Sequence, residues 1–241
     1  VHLLGQPCEM DEIMRIAKKY DLKVVEDSCE AMFVKYEGKP VGSHGDMGCY
    51  SSYLAHIIST GVGGFATTDD RQAHDAMRSM IWHGRDNMYL SIDANKNVSD
   101  KKKLMRARFT FNRIGYSFRA TELEAALGID ELKRSKDIIR KRQENAKYLT
   151  DKLLKLELPI QLPYVIPKAK SSWMFYPLVL KESYNRDHFA LFLERRGIQT
   201  RYIMPLTNQP VYKDWIKEEF YPNAKYLNNY GLLVGCHHFL E

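Results

Sequence analysis

Met10-Asp11-Glu12-Ile13-Met14-Arg15-Ile16-Ala17-Lys18-Lys19, followed by Leu22-Lys23-Val24-Val25-Glu26-Asp27, is the stretch on which the fold turns. Met10, Ile13, Met14 and Ala17 recur at helical spacing, with acids early and lysines late, as the helix dipole favours. The run Leu22-Lys23-Val24-Val25 is short and β-branched, which predicts a strand ending at the two acids. The apolar opening Val1-His2-Leu3-Leu4 predicts another strand. Strand, helix and strand at this spacing predict a βαβ unit, and hence a parallel sheet buried beneath helices.

Outward from this unit, Gly38-Lys39-Pro40, Gly42 and Gly45 predict a hairpin-like stretch before a strand over residues 48–53. Gly61-Val62-Gly63-Gly64 precedes a strand over 65–68, and Asp69 or Asp70 caps a helix running to about His83. Residues 84–108 are polar and predict an exposed loop, with Lys101-Lys102-Lys103 solvated at its centre. From Ala120 to about Leu156 the pattern is helical, with an apolar stripe of Leu123, Ala126, Leu127, Ile129 and Leu132. The basic residues from Arg134 to Arg142 are expected to face solvent, and Tyr116 and Phe118 to pack. Pro159, Pro163 and Pro167 break the chain before a smaller αβ pattern: strand 174–180, helix 186–196, strand 199–203. The expected division is 1–135 and 136–241, with the boundary near the long helix.

Composition narrows the class. The 241 residues carry 36 Lys and Arg against 30 Asp and Glu, a net charge of +6. With 44% hydrophobic and 27% charged residues, the chain has an ordinary globular make-up. No apolar run approaches the roughly 18–20 residues a membrane-spanning helix needs. A pI near 9.0 with interspersed acids fits a phosphorylated small molecule as well as nucleic acid, and no nucleic-acid or membrane partner is expected. Cys8, Cys29, Cys49 and Cys236 are widely spaced, so neither a metal centre nor a disulfide framework is expected. No signal peptide is read at Val1, and the cytoplasm is the default location.

Taken singly, the polar features have plain explanations. Asp27 closes an apolar strand, where an acid serves either as a cap or turn residue or as a ligand-binding group, because ligands of open α/β sheets sit at the carboxyl ends of strands. Ser51 and Ser52 follow a strand, the glycines at 61, 63 and 64 make a turn, and His56 stands between Ala55 and Ile57 as a core histidine would. Their order is more specific. Glu26-Asp27-Ser28-Cys29-Glu30-Ala31, Gly42-Ser43-His44-Gly45-Asp46-Met47-Gly48, Ser51-Ser52-Tyr53-Leu54-Ala55-His56 and Thr60-Gly61-Val62-Gly63-Gly64 together resemble the DegT/DnrJ family of sugar aminotransferases. The resemblance continues through Gly115-Tyr116-Ser117-Phe118-Arg119-Ala120-Thr121-Glu122, Met204-Pro205-Leu206-Thr207-Asn208-Gln209-Pro210 and Gly235-Cys236-His237-His238.

That resemblance implies an α/β fold of the aspartate-aminotransferase type (fold type I). Its three-layer αβα large domain is incomplete here and is followed by a smaller C-terminal αβ domain. It also implies further chain before Val1 and after Glu241, pyridoxal or pyridoxamine 5′-phosphate as cofactor, a nucleotide-sugar substrate, and a homodimer with a shared active site. Asp27 matches the carboxylate that pairs with the pyridine nitrogen, and Ser51 the hydroxyl that binds the cofactor phosphate. Glu30 stands where the family has Gln beside the ring oxygen, and Ser117 where it has the Asn that reaches a neighbouring subunit's phosphate. His237 matches a substrate-side histidine.

The most informative departure is His56, at the place of the Schiff-base Lys. No Lys occurs between Pro40 and Asn95, and imidazole lacks the primary amine that covalent attachment requires. It remains a competent base. His at this position, and Gly84-Arg85-Asp86, resemble the nucleotide-sugar 3-dehydratase branch. The implied reaction is loss of the C3 hydroxyl from an NDP-4-keto-6-deoxyhexose with His56 as base. The alternatives are a nucleotide-sugar aminotransferase and a catalytically degenerate structural paralogue.

Overall fold

The structure, a computed structural model, describes residues 1–85, 102, 105–106 and 109–240. Helix α1 (Met10–Lys19) forms as its pattern predicts, with Asp11 and Glu12 in the first turn, Lys18 and Lys19 in the last, and Met10 and Ala17 buried. Strand β1 (Val25–Asp27) follows. A small hairpin, β2 (Lys35–Tyr36) and β3 (Lys39–Pro40), leads to β4 (Met47–Ser51) and β5 (Gly64–Thr68). β1 pairs in parallel with β4, and β4 antiparallel with β5.

Two strand expectations are corrected. Residues 1–4 form no strand, because Leu4 (φ 58°) and Gly5 (φ 79°) turn the chain left-handed. The segment nevertheless lies beside β1, with the His2 N–H donating to the Asp27 carbonyl at 2.9 Å. The strand expected from Leu22 begins only at Val25. Val24 is occupied in a loop exchange: its N–H donates to Asp46 Oδ2 (2.8 Å) and its carbonyl accepts from the Asp46 N–H (2.9 Å).

Helix α2 (Arg71–Ile81) is capped by Asp70, which accepts from the N–H groups of Gln72 and Ala73. Helix α3 (Glu122–Leu154) starts at a Thr121/Glu124 capping box and runs for 33 residues, so it passes through position 135. Beyond it, β6 (Ile160–Gln161), β8 (Phe175–Leu180), β10 (Gly231–Gly235) and β9 (Thr200–Tyr202) form a four-stranded antiparallel sheet in that order. Helices α4 (Arg186–Glu194) and α5 (Pro222–Tyr230) lie in this portion, and β7 (Ala169–Lys170) returns to pair with β2.

Among the described residues, three apolar cores organise these pieces. Met10, Ala31, Val34, Tyr36 and Val41 pack under α1. Met32, Ile57, Ile58, Ile138 and Met174 join the first sheet to α3. Ala146, Tyr176, Leu178, Val234 and Cys236 join α3 to the second sheet. The apolar stripe of α3 is exposed, with Leu123 at 77%, and Ile129 and Leu132 line an apolar groove of about 630 Å³. Arg142, expected in solvent, is only 7% exposed, because its Nη1 donates to the carbonyls of Trp173 (3.0 Å) and Met174 (3.2 Å). Tyr116 and Phe118 do not pack in a core either; they are exposed and stack on each other at 4.8 Å.

Candidate active site

The parallel pair β1 and β4 builds the site. Asp27 lies opposite Cys49, and strand alternation places Asp27, Cys49 and Ser51 on one face and Glu26, Gly48 and Tyr50 on the other. Asp27 and Ser51 therefore emerge together at the carboxyl ends of neighbouring parallel strands, where open α/β sheets bind ligands.

The two acids of β1 have separate fates. Glu26 is 3% exposed. It accepts from His2 Nε2 (3.0 Å) and from the N–H groups of Gly42 (2.7 Å), His44 (2.6 Å) and Gly45 (2.6 Å). Burial pushes its pKa up, but these donors outweigh burial and hold it at about 2. His2 is itself fixed, since its Nδ1 accepts from the Cys8 N–H at 3.0 Å. Asp27 stays half-buried on the other face, its Oδ1 accepting from the Cys29 N–H at 3.1 Å. Burial raises its pKa, the Cys29 thiol and N–H lower it, and the balance lies below the usual carboxylate range. Asp27 is thus a half-buried anion. Cys29 is driven the other way, to about 12, first by burial and then by its bond to Asp27.

Ser51 and His56 are brought together by a tight loop. Ser51 Oγ accepts from the Tyr53 N–H (3.2 Å) and lies 3.4 Å from His56 Nδ1. The glycine turn braces this loop: Ser52 N–H donates to the Gly63 carbonyl and Leu54 N–H to the Gly61 carbonyl, both at 3.1 Å. Gly63 has φ 137° and a Cβ there would lie 2.9 Å from Ser52 Oγ, so the turn requires glycine. His56 is not a core residue. It is half-buried, edge-on to Tyr53 at 6.3 Å, while Ile57 and Ile58 enter the core and anchor it.

Glu30 follows Asp27 by three residues, and its Oε2 accepts from the Leu4 N–H at 2.8 Å. Ser117 stands apart, exposed and bridged to Trp82. His237 is exposed, with its carbonyl accepting from Asn145 Nδ2 at 2.8 Å. Burial and then the nearby Arg142 charge lower its pKa. Asp86, Lys101 and Lys103 lie outside the described residues. Sequence reasoning passed over Glu26, His2 and Arg142. An acid next to Asp27 on a strand must face the opposite side, and that alternation was the available signal for Glu26.

The apolar groove of about 630 Å³ is lined by Tyr50, Ser52, Thr60 and Gly63 among others, and by none of Asp27, Ser51 and His56. It belongs to the other side of β4. Among the described residues, no cluster of three or more His, Cys, Asp or Glu side chains could hold a metal ion, and no helix is long and apolar enough to cross a membrane.

The chain is 33% identical to an uncharacterized protein of Methanocaldococcus jannaschii, over 94% of this chain and 58% of that protein. It is 31% identical to a GDP-4-keto-6-deoxy-D-mannose 3-dehydratase of Yersinia pseudotuberculosis, over 98% of this chain and 61% of that one. It therefore spans about three fifths of the length of these relatives. The crystal structure of the E. coli GDP-4-keto-6-deoxy-D-mannose-3-dehydratase with bound hydrated PLP superposes with a TM-score of 0.86 at 31% identity. That match covers 99% of this chain and 62% of that one. The architecture is that of the fold-type-I aminotransferases. The profile of the DegT/DnrJ/EryC1/StrS aminotransferases matches residues 1–241, and the chain belongs to that family.

Proposed function

We propose that this chain carries the reactive face of a pyridoxamine-phosphate-dependent 3-dehydratase acting on an NDP-4-keto-6-deoxyhexose. The observation that carries this reading is an imidazole where a lysine would be needed for transamination: His56 lies beside the Ser51 hydroxyl, and Ser51 shares a sheet face with an ionised Asp27. The donor set fits the cofactor. It offers an anion for a pyridinium, a hydroxyl for a phosphate, and no amine between Pro40 and Asn95 to compete with the cofactor's own.

When bound, the cofactor supplies an electron sink through its ring nitrogen. Asp27 keeps that nitrogen protonated, because a neighbouring anion favours the charged form. Ser51 donates its hydroxyl to the phosphate. His56 faces Ser51 through Nδ1, which leaves Nε2 to take a proton and return it to the departing C3 hydroxyl. Ser117, exposed, is assigned to the phosphate of a second copy in a homodimer, and His237 to the substrate side.

The test uses the full-length protein with pyridoxal phosphate and borohydride. The expected result is no stoichiometric fixation on any peptide, with fixation appearing in His56→Lys. His56→Ala should lose roughly 10²–10⁴-fold in dehydration rate while still binding pyridoxamine phosphate. A borohydride-stable adduct on a lysine of the unmodified protein would refute the dehydratase and favour the aminotransferase.

A further inference from the structure

Three segments distant in sequence are tied together around Gly5. The first is the opening turn, where Leu4 (φ 58°) and Gly5 (φ 79°) are both left-handed. The second is residues 171–174, in which Trp173 is also left-handed (φ 52°). The third is α3. Ser171 Oγ donates to the Gly5 carbonyl (2.6 Å), Ser172 N–H to the same carbonyl (3.1 Å), and Met174 N–H to the Leu4 carbonyl (3.2 Å). From α3, Arg142 holds the carbonyls of Trp173 and Met174, and Gln143 Nε2 donates to the Ser171 carbonyl at 2.7 Å. Ser171, Ser172, Met174 and Arg142 are all buried.

Non-glycine residues are disfavoured in the left-handed region, where Cβ crowds the following carbonyl oxygen. Leu4 and Trp173 hold that conformation in contact with one another's segment, so the surroundings must enforce it. Gly5 leaves no slack, since a Cβ there would lie 2.5 Å from the Trp173 nitrogen. Glu30 reaches this knot from beside Asp27 through its bond to the Leu4 N–H. Its own backbone is rigid relative to Asp27: Ser28 N–H donates to the Cys49 carbonyl (2.8 Å), Ala31 N–H to the Ser28 carbonyl (3.0 Å), and both side chains are fully buried.

We propose that Glu30 is a positioning residue, whose carboxylate holds the strained Leu4–Gly5 turn against residues 171–174 and so fixes the Asp27 face relative to α3 and β8. This inference rests on the functional reading above and adds to it a role for Glu30 that does not need contact with the cofactor. The Leu4 N–H requires an acceptor, and the Glu30 carboxylate supplies one.

The experiment is a double-mutant cycle on the full-length protein, read by hydrogen exchange of the Leu4 amide and by the Kd for pyridoxamine phosphate. Glu30→Ala should speed Leu4 exchange by roughly ten- to hundredfold, the factor a hydrogen bond to a charged group is worth. Glu30→Gln retains an acceptor and should keep most of the protection. Ser171→Ala, which removes the bond to the Gly5 carbonyl from the far side, should raise the same exchange rate and the same Kd as Glu30→Ala. The pair should then be clearly less than additive, as residues acting through one element are. Gly5→Ala is the harsher variant, with Ser171→Ala standing in for it should it not fold. Unchanged Leu4 exchange in Glu30→Ala, or fully additive effects, would overturn the proposal. If the native protein binds no pyridoxamine phosphate, the dehydratase reading falls. The exchange cycle then decides the positioning role alone, non-additivity sustaining it and additivity ending it.

Discussion

Glu26→Gln is nearly isosteric, yet the structure predicts a large cost. Both carboxylate oxygens of Glu26 face donors only: Oε2 accepts from His2 Nε2 and the Gly42 N–H, and Oε1 from the N–H groups of His44 and Gly45. An amide must turn its NH₂ toward one of these pairs. Two donors then lose their acceptor in a site that is 3% exposed. Each buried donor left unsatisfied costs about 1–3 kcal/mol, giving about 2–6 kcal/mol, with donor–donor repulsion pushing toward the upper half. In urea at an m-value of about 2–3 kcal/mol/M, that is a midpoint lower by about 1–3 M with m unchanged. The acid limb supplies a second check. The folded-state pKa of about 2 lies below the ordinary 4.5. Glu26 therefore contributes stability that is present above pH 4.5 and lost as pH falls toward 2, about 3 kcal/mol in all. Glu26→Gln should lack that loss, so its stability should fall less steeply between these pH values than that of the parent. An unchanged midpoint at neutral pH, or an identical acid limb, would refute the four-donor account.

Asp27→Ala makes the contrast on the same strand. It should cost about 1 kcal/mol for the lost Cys29 turn bond, read as a small drop in Tm, while turnover falls by orders of magnitude; unchanged turnover would reduce Asp27 to a turn residue. Gly84→Ala places a Cβ onto the Arg113 carbonyl oxygen at φ 80°, whereas Gly38→Ala at φ 79° meets nothing within 4 Å. Denaturant midpoints should show at least about 3 kcal/mol for the first and about 1–2 kcal/mol for the second. Arg142→Leu strands the Trp173 and Met174 carbonyls and should cost about 2–4 kcal/mol, while Arg140→Ala, in an exposed pair with Glu144, should cost about 0.5 kcal/mol or less.

The helices were legible because their patterns are local. α1, α2 and α3 start and stop near the positions that charge, caps and spacing indicate. The glycine turn at 61–64 and the strand after it were legible for the same reason. What failed depends on partners distant in the chain. Val1–Leu4 has a strand's composition, but the Glu26 pocket for His2 and the left-handed turn at Leu4 decide its path. Arg142 belongs to a basic run, yet two carbonyls more than 30 residues away draw it inside. The apolar stripe on α3 was read as apolar, and periodicity says which side is greasy and not what meets it; the stripe is exposed. At the site, the resemblance to the family's ordered motifs pointed to Asp27, Ser51 and His56, and the pairing of β1 with β4 puts Asp27 and Ser51 on one sheet face with His56 beside Ser51. The Glu30–Leu4 bond does not show in spacing at all.

The neighbouring acids of β1 also act as a ruler for the strand. Sliding a strand by one residue exchanges its two faces. A slip in β1 would turn Asp27 toward the Gly42–Gly45 turn and send Glu26 out to the Ser51 side. A three-residue strand has too few ladder bonds to resist this by itself. The four donors gathered on Glu26 do resist it: they suit a side chain one methylene longer than Asp27's, and they leave buried N–H groups unanswered in any other alignment. The hidden acid thus enforces the alignment that keeps its half-buried neighbour at the carboxyl edge of the sheet.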